Sequence, residues 1–291
     1  MTINKSDPWI IYNGFLNSQK FSEHVDWLIT AASARGIHLV PKKNSDILLM
    51  PGRKLEEVPA WVLFWDKDVR LARYLESLYI PVYNSAKAIA VCDDKSQTHL
   101  ALAKVGLPEP DTIVAPMTFG NIGYTDLGFL ANAVDALGFP MVVKECYGSF
   151  GWQVYLSNDL RDLEDIVRKI GAKPFLMQRY VKTSHGRDVR LQVVGDKVVA
   201  SMERYSTNGD FRANLSSGGS MKPYVPTKEE VLLATAAVKA VGADFAGVDL
   251  LFGSDGPLVC EVNSNAHFRN IYDCTGVNVA EAIIDWILEK Q

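Results

Sequence analysis

The amino-acid sequence predicts a fold that combines the α/β and α+β classes, with a parallel-sheet α/β domain at the N-terminus. In roughly the first ninety residues, strand-like and helix-like segments alternate, which is typical of a parallel sheet covered by helices. In the remainder, β-prone segments follow one another through glycine-containing turns, which favours antiparallel sheets. A chain of 291 residues is long enough for two domains or for one large multilayer domain.

The N-terminal region is predicted to alternate between strands and helices. Its strands are short runs rich in β-branched and aromatic residues, at 8–12, 37–40, 60–65 and 81–83. Its helices carry apolar residues at helical spacing, at 21–35, which Gly36 ends, and at 69–79. A longer helix, predicted at about 85–105, leads into the second region.

The rest of the chain is predicted to be richer in strands. The predicted strands are 140–144, 154–156, 175–181, 189–194, 197–203, 245–253 and 257–262. The predicted helices are 160–170, 228–241 and 279–290. Gly195-Asp196 favours a tight hairpin between two of the strands. We therefore expect three units, with boundaries at 1–92, 93–175 and 176–291.

Composition and charge exclude several classes of function. The net charge of −4 and the scattered basic residues argue against a nucleic-acid partner. No apolar segment has the length of a signal peptide or a membrane span, so no membrane partner is expected. The four cysteines lack the spacing of disulfide pairs or metal sites, which favours reduced thiols and a cytoplasmic protein.

A predicted hairpin near the C-terminus carries candidate metal ligands. Glu261 and Asn263 are two residues apart on one strand, so their side chains share a face. A three-residue loop at 254–256 would place Asp249 opposite Glu261, whereas a loop of even length would separate them. Such hard oxygen ligands suit magnesium. An exposed polar strand edge without a site is the alternative.

A glycine-rich segment follows the predicted strand that ends at Lys144. A lysine at the end of a buried strand can hold phosphate as a point charge, and the glycines at 148 and 151 permit close approach of the backbone to phosphate oxygens. The segment matches neither the P-loop nor the dinucleotide-binding pattern. A plain hairpin turn explains it equally well.

Two further segments place polar residues at alternating positions. Asp188 and Arg190 are expected to share one face of a strand, and Arg212 and Asn214 repeat the spacing. Arginines that face carboxylates and metal suit polyphosphate binding and oxyanion stabilisation. A structural salt bridge, such as Asp188 with a neighbouring arginine, is the competing interpretation.

Ordered sequence blocks connect these features. They are AIAVCDDK, PMVVK, LMQRYVKTSHGRDVRLQVVGDKVVASMER, GDFRANLSSGG, and AGVDLLF followed by GPLVCEVNSN. From about residue 84 onward the chain resembles the ATP-grasp superfamily, and most closely the RimK-like carboxylate–amine ligases of the alpha-L-glutamate ligase type. The resemblance implies an ATP-grasp fold in which an N-terminal pre-ATP-grasp domain precedes a lid subdomain and a C-terminal subdomain with the nucleotide and metal site.

The resemblance also implies a role for each matched residue. ATP-binding residues are Lys95 and Lys144 at the phosphates, Gln178, Arg179, Tyr180 and Val181 at the adenine, Asp188 near the ribose, and Arg212, Ala213 and Asn214 facing the phosphates. Lid residues are Gly148, Ser149 and Gly151. The ligands of two magnesium ions, with manganese as an alternative, are Asp249, Glu261 and Asn263. The candidate catalytic residues are Arg212 and Arg190.

The implied reaction joins a carboxylate to an amine. ATP phosphorylates the carboxylate, and an amine then attacks the acyl phosphate. Members of the family add an amino acid such as glutamate to a peptide, a protein or a small molecule, and a homo-oligomer is expected. A dipeptide ligase of the D-alanine–D-alanine type and a nucleotide-binding regulatory protein without ligation are the alternatives.

The chain departs from the family pattern in three places. Arg179 replaces a glutamate in the hinge, the segment 178–181 that the resemblance places at the adenine. A lid glycine is missing near Gln153. After EVNSN, residues 266–269 replace a Pro-Gly pair beside the substrate pocket. In that segment His267 and Arg269 are candidate substrate contacts. His267 is either a general base for the amine or a packed polar residue.

Overall fold

A computed structural model describes residues 6–53, 55–149, 151–213 and 218–291. Within these residues the strands form three sheets, one parallel and two antiparallel. None of the described helices is both long and apolar enough to cross a lipid bilayer.

The first unit is a parallel sheet in the order β2-β1-β3-β4. Its elements are β1 (Trp9–Tyr12), α1 (Gln19–Ser33), β2 (Val40–Lys43), β3 (Val62–Trp65), α2 (Val69–Ser77) and β4 (Val82–Tyr83). The second strand lies later than the predicted 37–40, because pairing with β1 begins at Val40, opposite Trp9. Leu39 is nevertheless buried in the core, which accounts for the apolar signal just before the strand.

Two helices replace the single helix predicted at 85–105. They are α3 (Ala86–Asp93) and α4 (Lys95–Lys104). The break lies at Asp94, which ends α3 and caps α4 by accepting hydrogen bonds from the Ser96 backbone at 2.9 Å and the Ser96 hydroxyl at 2.6 Å. The Lys95 backbone N–H donates to the Cys146 carbonyl at 3.1 Å. The break therefore ties Lys95 to the segment that follows the strand of Lys144.

The second unit is an antiparallel sheet in the order β5-β8-β6-β7, packed against two helices. Its elements are β5 (Thr112–Val114), α5 (Phe129–Leu137), β6 (Met141–Glu145), β7 (Val154–Ser157), α6 (Leu160–Ile170) and β8 (Phe175–Arg179). Since β8 belongs to this sheet and begins at residue 175, we propose that the boundary between the second and third units lies after Arg179.

The third unit is an antiparallel sheet in the order β11-β10-β9-β12-β13. Its elements are β9 (Arg187–Val194), β10 (Lys197–Ser206), β11 (Gly219–Pro223), α7 (Lys228–Val241), β12 (Phe245–Phe252), β13 (Pro257–Asn263), α8 (Arg269–Thr275) and α9 (Val279–Glu289). Helix α7 packs on one face of the sheet with Val189, Leu191 and Val248 in the core between them.

A second core joins the first and third units. It includes Leu28 and Trp65 from the N-terminal unit together with Phe245, Phe268 and Ile284 from the C-terminal unit. Since these side chains form one contiguous cluster, burial of apolar surface holds the parallel sheet against the large antiparallel sheet.

Candidate functional site

Residues from all three units line one cavity of about 480 Å³. The small sheet contributes Val142 and Gln178, the large sheet contributes Met202 and Leu251, and the N-terminal unit contributes Phe21. This volume lies in the usual range for cavities that hold small molecules and cofactors.

The cavity has an excess of positive charge. Among the described residues that line it are nine lysines and arginines: Lys20, Lys67, Lys95, Lys144, Arg179, Arg187, Arg190, Arg204 and Arg212. Four acidic residues line it: Asp66, Asp188, Asp249 and Glu261. Such an excess of cations favours a polyanionic ligand.

The two predicted carboxylate ligands lie opposite each other, but the loop is not the predicted one. Phe252 pairs with Pro257, so the loop has an even number of residues, 253–256. That register alone would place Asp249 and Glu261 on opposite faces. A β-bulge at Cys260 shifts the register by one residue and restores the pair Asp249–Glu261. The predicted pairing is therefore present for a different reason.

Asp249 is the centre of a buried ion-pair network. Arg190 donates to its two carboxylate oxygens at 2.6 and 2.7 Å. Arg204 donates to Asp188 at 2.7 Å through each of two nitrogens and lies 3.0 Å from Asp249. Burial raises the pKa of Asp249, but the attraction of Arg190 and Arg204 outweighs it, so the pKa lies below its ordinary value.

Arg204 is a site residue that the sequence did not reveal. It pairs with Asp188 across β9 and β10. The turn at Gly195-Asp196 pairs Val194 with Lys197, and continuing that register would have placed Arg204 opposite Arg187. A bulge between Val198 and Ala200 shifts the register by one residue. Asp188 therefore forms a salt bridge with a neighbouring arginine, as the competing interpretation expected. Both residues line the cavity.

The two predicted phosphate-binding lysines lie on adjoining walls of the cavity. Lys95 Nζ donates to the Gly148 carbonyl at 3.1 Å and lies 3.4 Å from Glu261. Lys144 Nζ lies 3.5 Å from Cys260 Sγ, which is a weak acceptor. Both ammonium groups are buried, so strong anionic acceptors entering the cavity would be attracted to them.

Three hydrogen bonds hold residues 147–149 and 151–153, which we call the lid, against the cavity. Tyr147 donates to Asp94 at 3.1 Å, and Lys95 donates to Gly148. Arg212 donates to the Gly151 carbonyl at 2.9 Å and to both oxygens of Asp210. Ser149 and Ala213 also line the cavity, whereas Asn214 lies outside the described residues.

The hinge residues 178–181 lie at the cavity, but their side chains diverge. Gln178 is buried and faces the cavity from β8. The Arg179 guanidinium donates to Asp111 at 2.7 Å and to the carbonyls of Ala136 and Leu137 at 2.7 and 2.9 Å. Those carbonyls end α5, so an arginine is accommodated in the hinge because its side chain caps a helix. Tyr180 bonds to His185, and Val181 lines the cavity.

The segment after Asn265 places His267 in the cavity wall. Its ring packs edge-on against Phe21 at 4.8 Å and lies 4.7 Å from the His24 ring. Burial and neighbouring positive charge lower the pKa of His267 to about 3. A histidine that is so weak a base is poorly suited to general-base catalysis. This favours the interpretation of His267 as a packed polar residue.

Arg269 faces α1 rather than the cavity. It donates to Glu23 at 2.6 Å and to Asp273 at 2.9 Å. It is absent from the described residues that line the cavity, which include its neighbour Asn270.

The N-terminal sheet contributes polar residues that the sequence did not single out. Asn13 follows β1 and Asp66 and Lys67 follow β3, at the carboxyl edge of the parallel sheet. Asn13 donates to Asp66 at 3.2 Å, and Lys67 pairs with Asp93 at 2.7 Å. Their positions directly after two neighbouring parallel strands could have identified them as site residues, because ligands bind at the carboxyl edge of α/β sheets.

The predicted magnesium ligands form a mixed donor set. In the part of the chain that the structure describes, no group of three histidine, cysteine, aspartate or glutamate side chains has the arrangement of a metal site. The trio instead has two facing carboxylates and the amide of Asn263, whose buried Nδ2 has no hydrogen-bond partner among the described residues. These oxygen donors fit magnesium, which takes few protein ligands beside phosphate and water.

Comparison with solved structures identifies the fold. A RimK domain ATP-grasp protein from Sphaerobacter thermophilus superposes with a TM-score of 0.75 at 23% identity, covering 97% of this chain and 99% of that one. A D-alanine–D-alanine ligase from Bacillus anthracis gives 0.71 at 19% identity, covering 97% and 96%. The expected ATP-grasp fold with an N-terminal parallel-sheet domain is thus confirmed.

Sequence comparison then identifies the family. Residues 92–287 match the RimK-like ATP-grasp domain, so the chain belongs to this family. Human N-acetylaspartylglutamate synthase A is 35% identical over 261 residues, which cover 89% of this chain and 65% of that protein. Danio rerio beta-citrylglutamate synthase B is 36% identical over 225 residues, covering 77% and 54%. This chain therefore spans less than two thirds of those two relatives.

A bacterial relative is covered more fully. A probable alpha-L-glutamate ligase 2 from Shewanella amazonensis is 37% identical over 219 residues, which cover 75% of this chain and 70% of that protein. The match supports the predicted resemblance to ligases of this type.

Proposed function

We propose that this protein is an ATP- and magnesium-dependent ligase that joins a carboxylate to the amino group of glutamate through an acyl phosphate. The observation that carries the proposal is the convergence, in one cavity, of buried lysines and arginines with the facing carboxylates Asp249 and Glu261. Anionic phosphate oxygens and cationic metal require such a mixture of opposite charges.

The proposed nucleotide orientation follows from the cavity walls. Val142 on the small sheet and Met202 and Leu251 on the large sheet offer apolar contacts to the faces of the adenine. Gln178 and the hinge backbone contact its edge. The phosphates extend toward Lys95 and Lys144, as the resemblance implies, and Asp188 lies near the ribose.

Asp249, Glu261 and Asn263 are the proposed ligands of two magnesium ions. Magnesium held there would bridge phosphate oxygens and neutralise part of their charge. A structure of the ATP-grasp ligase PsnB, similar to this chain in fold at 19% identity and a TM-score of 0.70, contains magnesium and ADP. Manganese offers the same octahedral oxygen chemistry as an alternative.

The arginines have the proposed catalytic roles. Arg212 lies beside the lid and stabilises the acyl phosphate and the oxyanion that forms when the amine attacks it. Arg190 holds Asp249 in place and presents positive charge to the reacting phosphate. The lid keeps water from hydrolysing the acyl phosphate, since its hydrogen bonds close it over the cavity.

Glutamate is the proposed amine because the names of the human, zebrafish and Shewanella relatives all contain it. Lys20 and Lys67 line the N-terminal wall of the cavity, where their positive charge suits an amino acid with two carboxylates. The carboxylate substrate is a peptide, a protein terminus or a small acid. The homo-oligomer and the cytoplasmic location stay predictions.

The proposal is tested by measuring ADP release against a panel of carboxylates, with L-glutamate or D-alanine as the amine. We expect ADP release that requires both a carboxylate and L-glutamate. Turnover with D-alanine alone would instead identify a dipeptide ligase of the D-alanine type. Tight ATP binding without turnover on any pair would overturn the ligase proposal and favour a regulatory nucleotide-binding protein.

A further inference from the structure

A buried chain of hydrogen bonds holds the side chain of Gln178. The Gln178 amide nitrogen lies 2.9 Å from His99 Nε2 and 2.8 Å from Thr112 Oγ1. His99 Nδ1 is bonded in turn to the Glu109 carboxylate. Gln178 and His99 are 2% and 3% exposed, so water does not compete for these bonds.

Thr112 determines which end of the amide faces it. Its hydroxyl donates to the Pro110 carbonyl at 2.7 Å, and a hydroxyl has only one proton. Oγ1 is therefore left as an acceptor, and the group beside it must be a donor. The Gln178 NH₂ meets this requirement, whereas its carbonyl oxygen would face the lone pairs of Oγ1.

His99 completes the contacts of the amide nitrogen. Because Thr112 requires the Gln178 NH₂ on this side, His99 Nε2, 2.9 Å away, accepts its second N–H. The ring proton of His99 then lies on Nδ1, where the Glu109 carboxylate accepts it and holds this tautomer. Both N–H groups of the amide are thus engaged.

The remaining polar atom of the amide is its carbonyl oxygen. Gln178 lies opposite Val142 in the small sheet, and both residues line the cavity together with Lys144. This acceptor therefore belongs to a side chain that lines the proposed adenine pocket.

We propose that Glu109, His99 and Thr112 are positioning residues that fix the Gln178 carbonyl toward the nucleobase, so that the site selects a purine with an amino group at the 6-position over a 6-oxo purine. This inference rests on the proposed ATP-dependent function. An amino group donates to the fixed carbonyl, whereas a 6-oxo group would place two acceptors against each other.

The experiment compares the dissociation constants of ATP, inosine triphosphate and purine riboside triphosphate, which lacks the 6-amino group, each with magnesium. Wild-type protein is expected to prefer ATP over both analogues by at least about tenfold, since a site that hydrogen-bonds a ligand group rejects ligands lacking it. Gln178→Leu is expected to bind ATP and purine riboside triphosphate nearly equally.

The double variant Glu109→Gln/Thr112→Val tests the positioning residues. It removes both constraints, so the amide can rotate and present its NH₂ to the base. We expect the preference for ATP over inosine triphosphate to fall at least about tenfold, with tighter binding of inosine triphosphate than in wild type. The matched variant Thr112→Ser keeps the hydroxyl and is expected to keep the wild-type ratio. Thr112→Val alone, an isosteric change, is the second test if the double variant does not fold, and it is expected to lower the ratio by a smaller factor, about threefold or more, because the contact with His99 remains.

The outcomes separate the inference from the function on which it rests. Equal weakening of all three nucleotides in the double variant, with an unchanged ratio, would show a purely structural role and overturn the inference. The same conclusion follows if Thr112→Val keeps the wild-type ratio. Failure of the wild-type protein to bind any of the nucleotides would overturn the proposed function itself.

Discussion

At the scale of single residues, the cavity depends on charged groups that are paired although they are buried. Asp249 and Arg204 are 4% and 5% exposed, and each contacts more than one partner of opposite charge. Removing one member of such a network leaves an uncompensated buried charge, which is strongly destabilising. Glu261 differs, because its ionic contact with Lys95, at 3.4 Å, is longer than those of Asp249 and Arg204. Glu261 is therefore the better residue for testing the metal site.

Replacing Glu261 by glutamine is expected to reduce magnesium-dependent turnover by at least about 100-fold. Even residues that only hydrogen-bond to a metal ligand typically contribute about 10- to 100-fold to metal affinity or activity. The amide is nearly isosteric, so circular dichroism and the unfolding midpoint should stay close to wild type. ADP release at varied magnesium concentration measures the effect. Glu164→Gln, on an exposed i,i+4 pair of α6, is the matched control. Wild-type turnover in Glu261→Gln would show that the metal assignment is wrong.

His267 should make the free energy of unfolding depend on pH. Its folded pKa of about 3 lies below the ordinary value of 6.5. Below pH 6.5 the unfolded chain therefore binds a proton that the folded protein does not, so stability falls as pH falls toward 3. On going from pH 7.5 to 5, wild type should lose about 2 kcal/mol more than His267→Phe, since each pH unit contributes about 1.4 kcal/mol.

Urea denaturation of both proteins at the two pH values measures this difference. Constant effects of the phenylalanine on packing cancel, because only the change between the two pH values is compared. His24 is retained in both proteins, and its pKa, which burial lowers, contributes to both. Equal losses in the two proteins would show that His267 is readily protonated in the folded state.

At the scale of secondary-structure elements, two β-bulges set the register of the site. The bulge at Cys260 aligns Glu261 with Asp249, and the bulge near Val199 aligns Arg204 with Asp188. The sequence predicted the strands and the spacing of polar residues along them, because both follow from local alternation. It did not predict the bulges, since neither has a glycine or proline that marks it, and Arg204 was missed for that reason.

The break between α3 and α4 had a visible signal. Asp94 precedes Lys95 at the end of the block AIAVCDDK, and aspartate is a common helix cap. The continuous apolar pattern on either side favoured one helix instead. In the structure the same Asp94 caps α4 and accepts from Tyr147 of the lid. The break thus connects the helix pair to the closure of the cavity.

Tyr147→Phe is expected to loosen the lid and uncouple ATP consumption from ligation. The variant loses one hydrogen bond of about 1 kcal/mol, which raises the population of open lid by up to about fivefold and admits water to the acyl phosphate. The ratio of ADP to amide product should rise accordingly. Tyr155→Phe loses a tyrosine bond of the same 3.1 Å length, to Glu145 outside the cavity, and should leave the ratio unchanged. A wild-type ratio in Tyr147→Phe would argue against the role of this contact.

At the scale of the whole molecule, Asn84 connects the first unit to the third. Its amide donates to the carbonyls of Phe245 and Ser264, both at 2.9 Å, and its oxygen accepts from the backbone of Asp244 and Phe245. Asn84 is 1% exposed, so these backbone groups depend on it. Because of this contact and the shared apolar core, we expect the two units to unfold together.

Asn84→Ala is expected to lower the free energy of unfolding by about 3 kcal/mol, because several buried backbone groups lose their partner. Urea unfolding followed by tryptophan fluorescence and by circular dichroism should show one coincident transition in wild type. Asn158→Ala, at an exposed position, is the control. Two separated transitions in wild type would contradict the coupling of the units.

The family and the fold were predictable because several blocks occur in one order along the chain. The contribution of the N-terminal unit to the cavity was less predictable, since Asn13 and Asp66 are distant in sequence from every block. Only the packing of the parallel sheet against the large sheet brings them to the site. The segment at 266–269 departs from the family pattern, and its packing against α1 follows from His24, which accepts from the backbone of Phe268 and Arg269.

The most direct test of the ligase account is the fate of oxygen atoms from the carboxylate substrate. The substrate carboxylate is labelled with oxygen-18, and the phosphate released during ligation to L-glutamate is analysed by mass spectrometry. Activation as an acyl phosphate transfers one labelled oxygen to each phosphate molecule, with ADP as the other product. Unlabelled phosphate, or label found in AMP, would contradict the account.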